Sequence, residues 1–178
     1  MKKLISSAVL ALSLTQPLYA QQHGAHGMGG MHHRHMQTMP MLHGINTSQQ
    51  EFEDMREMFQ RHLEIERTVE NIEGGIRTFT ASKNPELRDA IVNHVAMMIT
   101  RVEDGNDPEV PIQSPTLSIL FALGNQIDTE IEVTEDGIIV TQTSSNPIVA
   151  QALQTHAAEV TDLAERGMQS VHERMMGH

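Results

Sequence analysis

The apolar positions of the chain predict two helices, each of which begins at a capping signal. The first helix follows Ser48 and Glu51, whose spacing is that of a capping box. The second follows Ser114, a predicted N-cap, and Pro115, which suits the first helical position. Apolar residues at helical spacing form one stripe in each: Phe52, Met55, Phe59 and Leu63, and then Leu117, Leu120 and Phe121. Each helix is therefore expected to bury one face.

Two segments rich in β-branched residues follow each of these helices and predict four strands. The strands span about residues 65–72, 76–82, 126–134 and 138–144. Glycine-containing turns at 74–75 and 136–137 join them in pairs, which is typical of hairpins. Asn84-Pro85 and Asn146-Pro147 then begin two long helices, with Asn as the N-cap and Pro in the first turn.

The same order of elements recurs because the chain contains an internal repeat with an offset of 62 residues. Twelve identities occur without a gap across 47 positions, and they pair Phe59, Ile65, Gly75, Ile76, Ser82, Asn84, Pro85, Ala90, His94, Ala96, Glu103 and Gly105 with Phe121, Ile127, Gly137, Ile138, Ser144, Asn146, Pro147, Ala152, His156, Ala158, Glu165 and Gly167. The folded region is predicted at 47–178, with repeats at about 48–105 and 114–167 and a helical tail at 168–178. Two ββα units pair naturally into one four-stranded antiparallel sheet covered by helices, so the predicted fold class is α+β.

The first twenty residues predict a signal peptide that is cleaved after Ala20. Lys2 and Lys3 provide the positive start, residues 4–14 the apolar stretch, and Ala20 the small residue at the cleavage site. No later stretch approaches the ~20 apolar residues of a membrane-spanning helix. We therefore expect an exported protein of the periplasm, without membrane insertion after cleavage.

The composition argues against several classes of function. The chain has no cysteine, which excludes disulfides, thiolate metal sites and covalently attached c-type haem. Loss of Lys2 and Lys3 takes the formal charge from −11 to −13, and such an acidic chain is not expected to bind nucleic acid or anionic membranes. The common motifs of nucleophilic, phosphate-binding and zinc-peptidase enzymes are absent, so we expect a protein that is not an enzyme.

Residues 21–46 predict a flexible arm with a strongly biased composition. It has no apolar period, and its glycines raise the entropy cost of ordering it. Its candidate metal ligands are His23, His26, Met28, Met31, His32, His33, His35, Met36, Met39, Met41 and His43, and residues 21–44 contain no Asp or Glu. Imidazole serves copper, zinc and nickel, whereas thioether sulfur is soft and selects Cu(I) or Ag(I). The mixture favours copper, with silver, nickel and zinc as alternatives.

Cleavage after Ala20 would create a further set of ligands at the new N-terminus. The chain would then begin Gln21-Gln22-His23, and its amine, two amide nitrogens and imidazole can form a square plane. That geometry suits Cu(II) or Ni(II). Cyclisation of Gln21 would remove the amine and with it this site.

His94 and His156 occupy equivalent positions of the repeat, on the apolar faces of the two long helices. Both are therefore expected to point towards the sheet or towards each other. One interpretation is a pair of core histidines that hydrogen-bond to the backbone. The other is a pair of ligands for a metal ion or, with His62 as a third candidate, for the iron of haem b. The counterpart of His62 is Gly124. This smaller residue would leave room for a ligand on one side, or it reflects drift of the sequence at a helix end.

Met168, His172 and Met175 share one face of the last predicted helix, which is expected to continue to about residue 176. Such a face suits Cu(I). Methionines at helical spacing also fill cores, so both interpretations stay open from the sequence.

Four segments of the folded region resemble a family of exported bacterial proteins without an assigned activity. They are His62-Leu-Glu-Ile-Glu-Arg-Thr-Val, Gly74-Gly75-Ile-Arg-Thr, Ser82-Lys-Asn-Pro-Glu-Leu and His94-Val. The resemblance implies a duplicated ββα unit and, in some members, a His/Met-rich leader. Asn84 stands where that family usually has Asp, a change that keeps the N-cap role. The arm also resembles periplasmic copper- and silver-tolerance proteins in its composition.

The sequence thus predicts a periplasmic copper-binding protein for sequestration, tolerance or delivery of Cu(I) or Cu(II). Its expected partners are metal ions and another periplasmic metal-handling protein. Two alternatives stay open. One is a haem-binding or redox protein with His62, His94 or His156 as axial ligands, and the other is a periplasmic protein-interaction module whose arm buffers metal.

Overall fold

The predicted strands pair into one antiparallel sheet in the order β1-β2-β4-β3. The computed structural model describes residues 39–176. The strands are β1 (Glu66–Ile72), β2 (Gly75–Ala81), β3 (Asp128–Val133) and β4 (Gly137–Thr143). The helices of this region are α1 (Gln49–Gln60), α2 (Pro85–Glu103), α3 (Pro115–Ala122), α4 (Pro147–Arg166) and α5 (Met168–Met176), with short 3₁₀ turns at Pro40–Leu42, His62–Glu64 and Gly124–Gln126. The α+β class predicted from the sequence is confirmed.

Two hairpins, β1–β2 and β3–β4, meet along the antiparallel pair of central strands, where Thr78 lies opposite Val140. One face of β2 and β4 is covered by helices, and the residues that it buries are Ile76, Thr78, Thr80, Ile138 and Val140. The edge strands are far more exposed, and on β3 Ile131 and Val133 keep 46% and 63% of their accessible surface. The core therefore lies between the central strands and the helices.

Equivalent elements of the two halves are offset by the predicted 62 residues. This holds for β2 and β4 at both ends, for the starts of α2 and α4, and for the 3₁₀ turns His62–Glu64 and Gly124–Gln126. The origin of the halves by duplication stays a prediction.

The predicted helix starts are mostly confirmed by their hydrogen bonds. The Ser48 hydroxyl accepts from the Glu51 amide at 3.2 Å, and the Glu51 carboxylate accepts from the Ser48 amide at 2.7 Å, so the capping box is complete. Asn84 and Asn146 cap α2 and α4 with their side-chain oxygens. Ser114 is different, because its side chain does not cap α3. Its hydroxyl donates instead to the carboxylate of Glu159 on α4, which is a stronger acceptor.

The folded part of the chain begins earlier than the predicted boundary at residue 47. Met39 and Leu42 are buried in a small apolar cluster with Phe52 and Met55 of α1. The segment that connects α2 to α3 contributes apolar side chains to the same cluster, namely Val110 and Ile112. The end of the predicted arm is thus part of the core.

The C-terminal helix is not continuous with the long helix before it. The helix α4 ends at Arg166, and Gly167 adopts φ 53° and ψ −131° before α5 begins at Met168. A positive φ favours glycine, so the break has a local cause in the sequence. Within residues 39–176 no helix has the length and apolar character needed to cross a membrane.

Candidate functional site

A partly open cavity of about 290 Å³ lies between the sheet and the helices. Its floor is formed by β2 and β4, its walls by α1 to α4, and part of its rim by the segment between α2 and α3. Most of the lining is apolar. The ionisable side chains that face it are Glu51, His62, Arg67, His94, His156 and Glu159. The cavity therefore gathers His62, His94 and His156, the three candidate axial ligands for haem.

His94 enters the cavity from α2 in an uncharged state. Burial of the ring lowers the pKa of His94 to about 4, and the charge of His156 lowers it further while the carboxylate of Glu51 raises it. At neutral pH the imidazole keeps a lone pair that can accept a hydrogen bond or bind a metal ion. The rings of His94 and His156 are thus close enough for the charge of one to affect the other.

His156 enters from α4 and is oriented by a carboxylate. Its Nδ1 lies 3.7 Å from a carboxylate oxygen of Glu159, which is an electrostatic contact too long for a hydrogen bond. Glu159 accepts hydrogen bonds from the hydroxyls of Ser114 at 2.6 Å and Thr116 at 3.0 Å. Burial raises the pKa of Glu159, but His156 and the two hydroxyls outweigh this and lower it overall. With Nδ1 towards Glu159, Nε2 is the nitrogen left for the cavity.

His62 has a structural partner at each side of its ring. Its Nδ1 donates to the carbonyl oxygen of Ala164 at 3.0 Å. The ring also packs against Gly167, where an added Cβ would lie 2.5 Å from His62 Cδ2. These contacts fasten the first half of the domain to the end of α4.

The prediction that Gly124, the counterpart of His62, leaves room for a ligand is wrong. A Cβ at this position would lie 1.9 Å from the carbonyl oxygen of Val102. The end of α2 therefore fills the space that the missing side chain leaves.

Glu51 closes one end of the cavity through a buried ion pair with Arg101. Only 5% of the Glu51 side chain and 12% of the Arg101 side chain are exposed, and two guanidinium nitrogens meet the two carboxylate oxygens. Arg101 also donates to Asn46 and to the carbonyl of Asn106. Burial alone would raise the pKa of Glu51, but hydrogen bonds from Arg101 and Ser48 lower it to about 2.

The lowered pKa of Glu51 predicts that the folded domain loses stability in acid. Its pKa is lower in the folded state than the ordinary 4.5, so its contribution is complete above pH 4.5 and disappears as the pH falls to about 2. The expected loss is about 3 kcal/mol of unfolding free energy. Urea unfolding across this range measures it, and Glu51→Gln, which has no carboxylate here, should show a flatter pH dependence. Equal slopes for both proteins would contradict the assignment.

Several residues that face the cavity were not identified from the sequence. The thioethers of Met55, Met58 and Met98 line the cavity, and the sequence had indicated only an apolar stripe position for Met55. Arg67 stands at an inward-facing position of β1, opposite Thr80. Residues 65, 67 and 69 share one face of a strand, so the sequence could have indicated that Arg67 lies on the same face as Ile65 and Val69.

Most residues of the predicted metal-binding arm lie outside the part of the chain that the structure describes; they are Gln21, His23, His26, Met28, Met31, His32, His33, His35 and Met36. The last three predicted ligands of the arm lie inside it. Met39 is buried with 3% exposure, Met41 packs against the same cluster, and the His43 ring stacks on Phe52 at 4.0 Å. Met39 and Met41 are therefore core residues in this structure.

The tail presents two of its three candidate ligands at the surface. His172 is exposed, Met175 keeps 56% of its accessible surface, and Met168 is partly buried. Across residues 39–176 no three His, Asp or Glu side chains come together as a metal-binding group.

Comparisons of the chain with protein-family models, with curated proteins and with solved structures found no match.

Proposed function

We propose that this is an exported periplasmic protein that binds Cu(I) and Cu(II) for sequestration, tolerance or delivery. The observation that carries the proposal is the set of ligands in residues 21–44, where six histidines and five methionines occur without any Asp or Glu. Thioether sulfur prefers Cu(I), and imidazole serves both oxidation states. Delivery would require a second metal-handling protein of the periplasm as a partner.

Two parts of the folded domain support this proposal: the exposed side chains of the last helix, α5, and the histidines of the cavity. His172 and Met175 are accessible on α5 and can supply an imidazole and a thioether. In the cavity, neutral imidazoles at pH 7 are ligands that copper accepts, and His94 meets this condition. Orientation of His156 by Glu159 resembles the carboxylate–histidine arrangement that fixes metal-binding rings. The assignment of His94 and His156 as ligands stays a prediction.

Deletion of residues 21–38 from the mature chain is expected to remove more than half of the bound copper. The deletion ends before Met39 so that the cluster of Met39, Leu42 and Phe52 stays intact. Anaerobic Cu(I) titration against a chelator and aerobic Cu(II) titration measure the number of bound ions. A matched control keeps the length and replaces the five histidines and three methionines of residues 21–38 by glutamine. An unchanged number of copper ions in both variants would overturn the proposal.

A second candidate function is haem binding, because His94 and His156 face one cavity. The purified protein would then acquire a Soret band when haemin is added, and the His94→Ala/His156→Ala variant would not. If deletion of residues 21–38 abolishes copper tolerance in cells, the result supports copper handling over both haem binding and a protein-interaction module. Survival of tolerance would instead favour a protein-interaction module.

A further inference from the structure

Arg67 places a positive charge at the cavity without an acidic partner. Its Nη1 donates to the hydroxyl of Thr80 at 2.5 Å, and its Nε is buried without a hydrogen-bond partner. Among the side chains that the structure describes, no carboxylate lies within ion-pair distance of it. Arg67 is half-buried, and a positive charge that is partly withdrawn from water and has no acidic partner favours an anion beside it.

The unused side of the Arg67 guanidinium has the geometry that carboxylates prefer. Arginine can hold a carboxylate with two parallel N–H groups. Protein atoms cover Nε, so a ligand cannot reach it. The Nη1 nitrogen has a second N–H besides the one donated to Thr80, and Nη2 has no side-chain partner among the described residues, so the two terminal nitrogens are left for a ligand. The two glutamates of the cavity do not compete for it, because Glu51 pairs with Arg101 and Glu159 is held by Ser114 and Thr116.

The rest of the cavity suits an apolar group. It lies between two core clusters, one built around Ile76 and Leu153 and the other around Ile91 and Val140. A partly open cavity of about 290 Å³ with a mostly apolar lining has room for an apolar tail.

We propose that the cavity binds a small amphiphile, a monocarboxylate with an apolar tail, whose carboxylate is held by Arg67. One arginine and two hydroxyl-bearing floor residues, Thr78 and Thr80, match a singly charged head. The tail lies between the two core clusters. This inference does not depend on copper binding.

Decanoate is the probe for this site, and 1-decanol, which has the same tail without the carboxylate, is the control ligand. Calorimetric titration of the metal-free full chain should show binding of decanoate. Arg67→Met should weaken it about 10- to 100-fold, because charge-assisted hydrogen bonds are lost. Arg67→Lys, which keeps the charge without the planar fork, should fall between the two proteins. The affinity for 1-decanol should be the same in all three.

Unfolding by urea separates this role from a structural one. Arg67→Met should be at least as stable as the wild type without ligand, because it removes a buried charge that has no partner. Decanoate should then raise the urea midpoint of the wild type and not that of Arg67→Met. No binding of decanoate to the wild type, equal affinity in Arg67→Met, or equal affinity for 1-decanol and decanoate would each overturn the inference. None of these results bears on copper.

Discussion

Replacement of Glu51 by alanine is expected to lower the free energy of unfolding by about 3–5 kcal/mol, the usual effect of breaking a buried ion pair. Arg101 would keep its buried position, with 12% of its side chain exposed, and would lose its only carboxylate partner in the described part of the chain. The capping box at the start of α1 would be lost as well. Urea unfolding at neutral pH measures the change.

Two control variants distinguish the contribution of the N-cap at Ser48 from that of the ion pair between Glu51 and Arg101. Ser48→Ala removes the capping hydroxyl and leaves the ion pair, so it should lower the free energy of unfolding by only about 1 kcal/mol. Glu51→Leu/Arg101→Met removes both charges and should recover much of the loss, because apolar replacements of buried pairs are often tolerated. A loss below about 1 kcal/mol for Glu51→Ala would show that this ion pair does not hold α1 to α2.

The sequence predicts the sheet and the starts of the long helices because their causes are local. Glycine turns fix the hairpins, and Asn84 and Asn146 cap the helices that follow. Ser114 shows where local reasoning fails. A serine before a proline is a sound N-cap, yet its hydroxyl donates to Glu159, which lies 45 residues away and is the stronger acceptor.

The predicted end of the arm at residue 46 is wrong because it rests on composition alone. Composition does not show that Met39 and Leu42 have apolar partners in the core. Met39 and Leu42 belong to a segment with the compositional bias of the arm, but they pack against Phe52 and Met55 of α1 in the core. The consequence is practical, since removal of residues 21–44 would also remove two buried residues. A deletion that stops at residue 38 tests the ligands alone.

Periodicity places His94 and His156 correctly on the inner faces of their helices, as the shared cavity shows. It says nothing about the hydrogen bonds around them. The contact of His156 with Glu159 depends on a helix-internal spacing of three residues, but the hydroxyls that fix Glu159 come from α3. The role of Arg67 is likewise hidden in the sequence, because only the fold reveals that no carboxylate in the described part of the chain lies within ion-pair distance of it.

Gly124→Ala is expected to lower the free energy of unfolding by about 3 kcal/mol or more, at the upper end of the range for overpacked sites. The added Cβ would meet the carbonyl oxygen of Val102 at 1.9 Å, and a backbone atom cannot turn aside as a flexible side chain can. The 3₁₀ turn and the end of α2 would have to separate, which would open the cavity beside Ile127 and Leu120.

Asn125→Ala is the matched control, because Asn125 belongs to the same turn but its side chain is exposed. It should change the free energy of unfolding by no more than about 0.5 kcal/mol. Gly124→His, which copies the residue at the equivalent position of the first half, should be more damaging than Gly124→Ala. His62 is accommodated only because Gly167 leaves space for its ring, whereas the backbone of α2 already occupies that space beside Gly124. If Gly124→His were as stable as the wild type, the two halves would be interchangeable at this position, and the close contact of Gly124 with Val102 would not limit the fold.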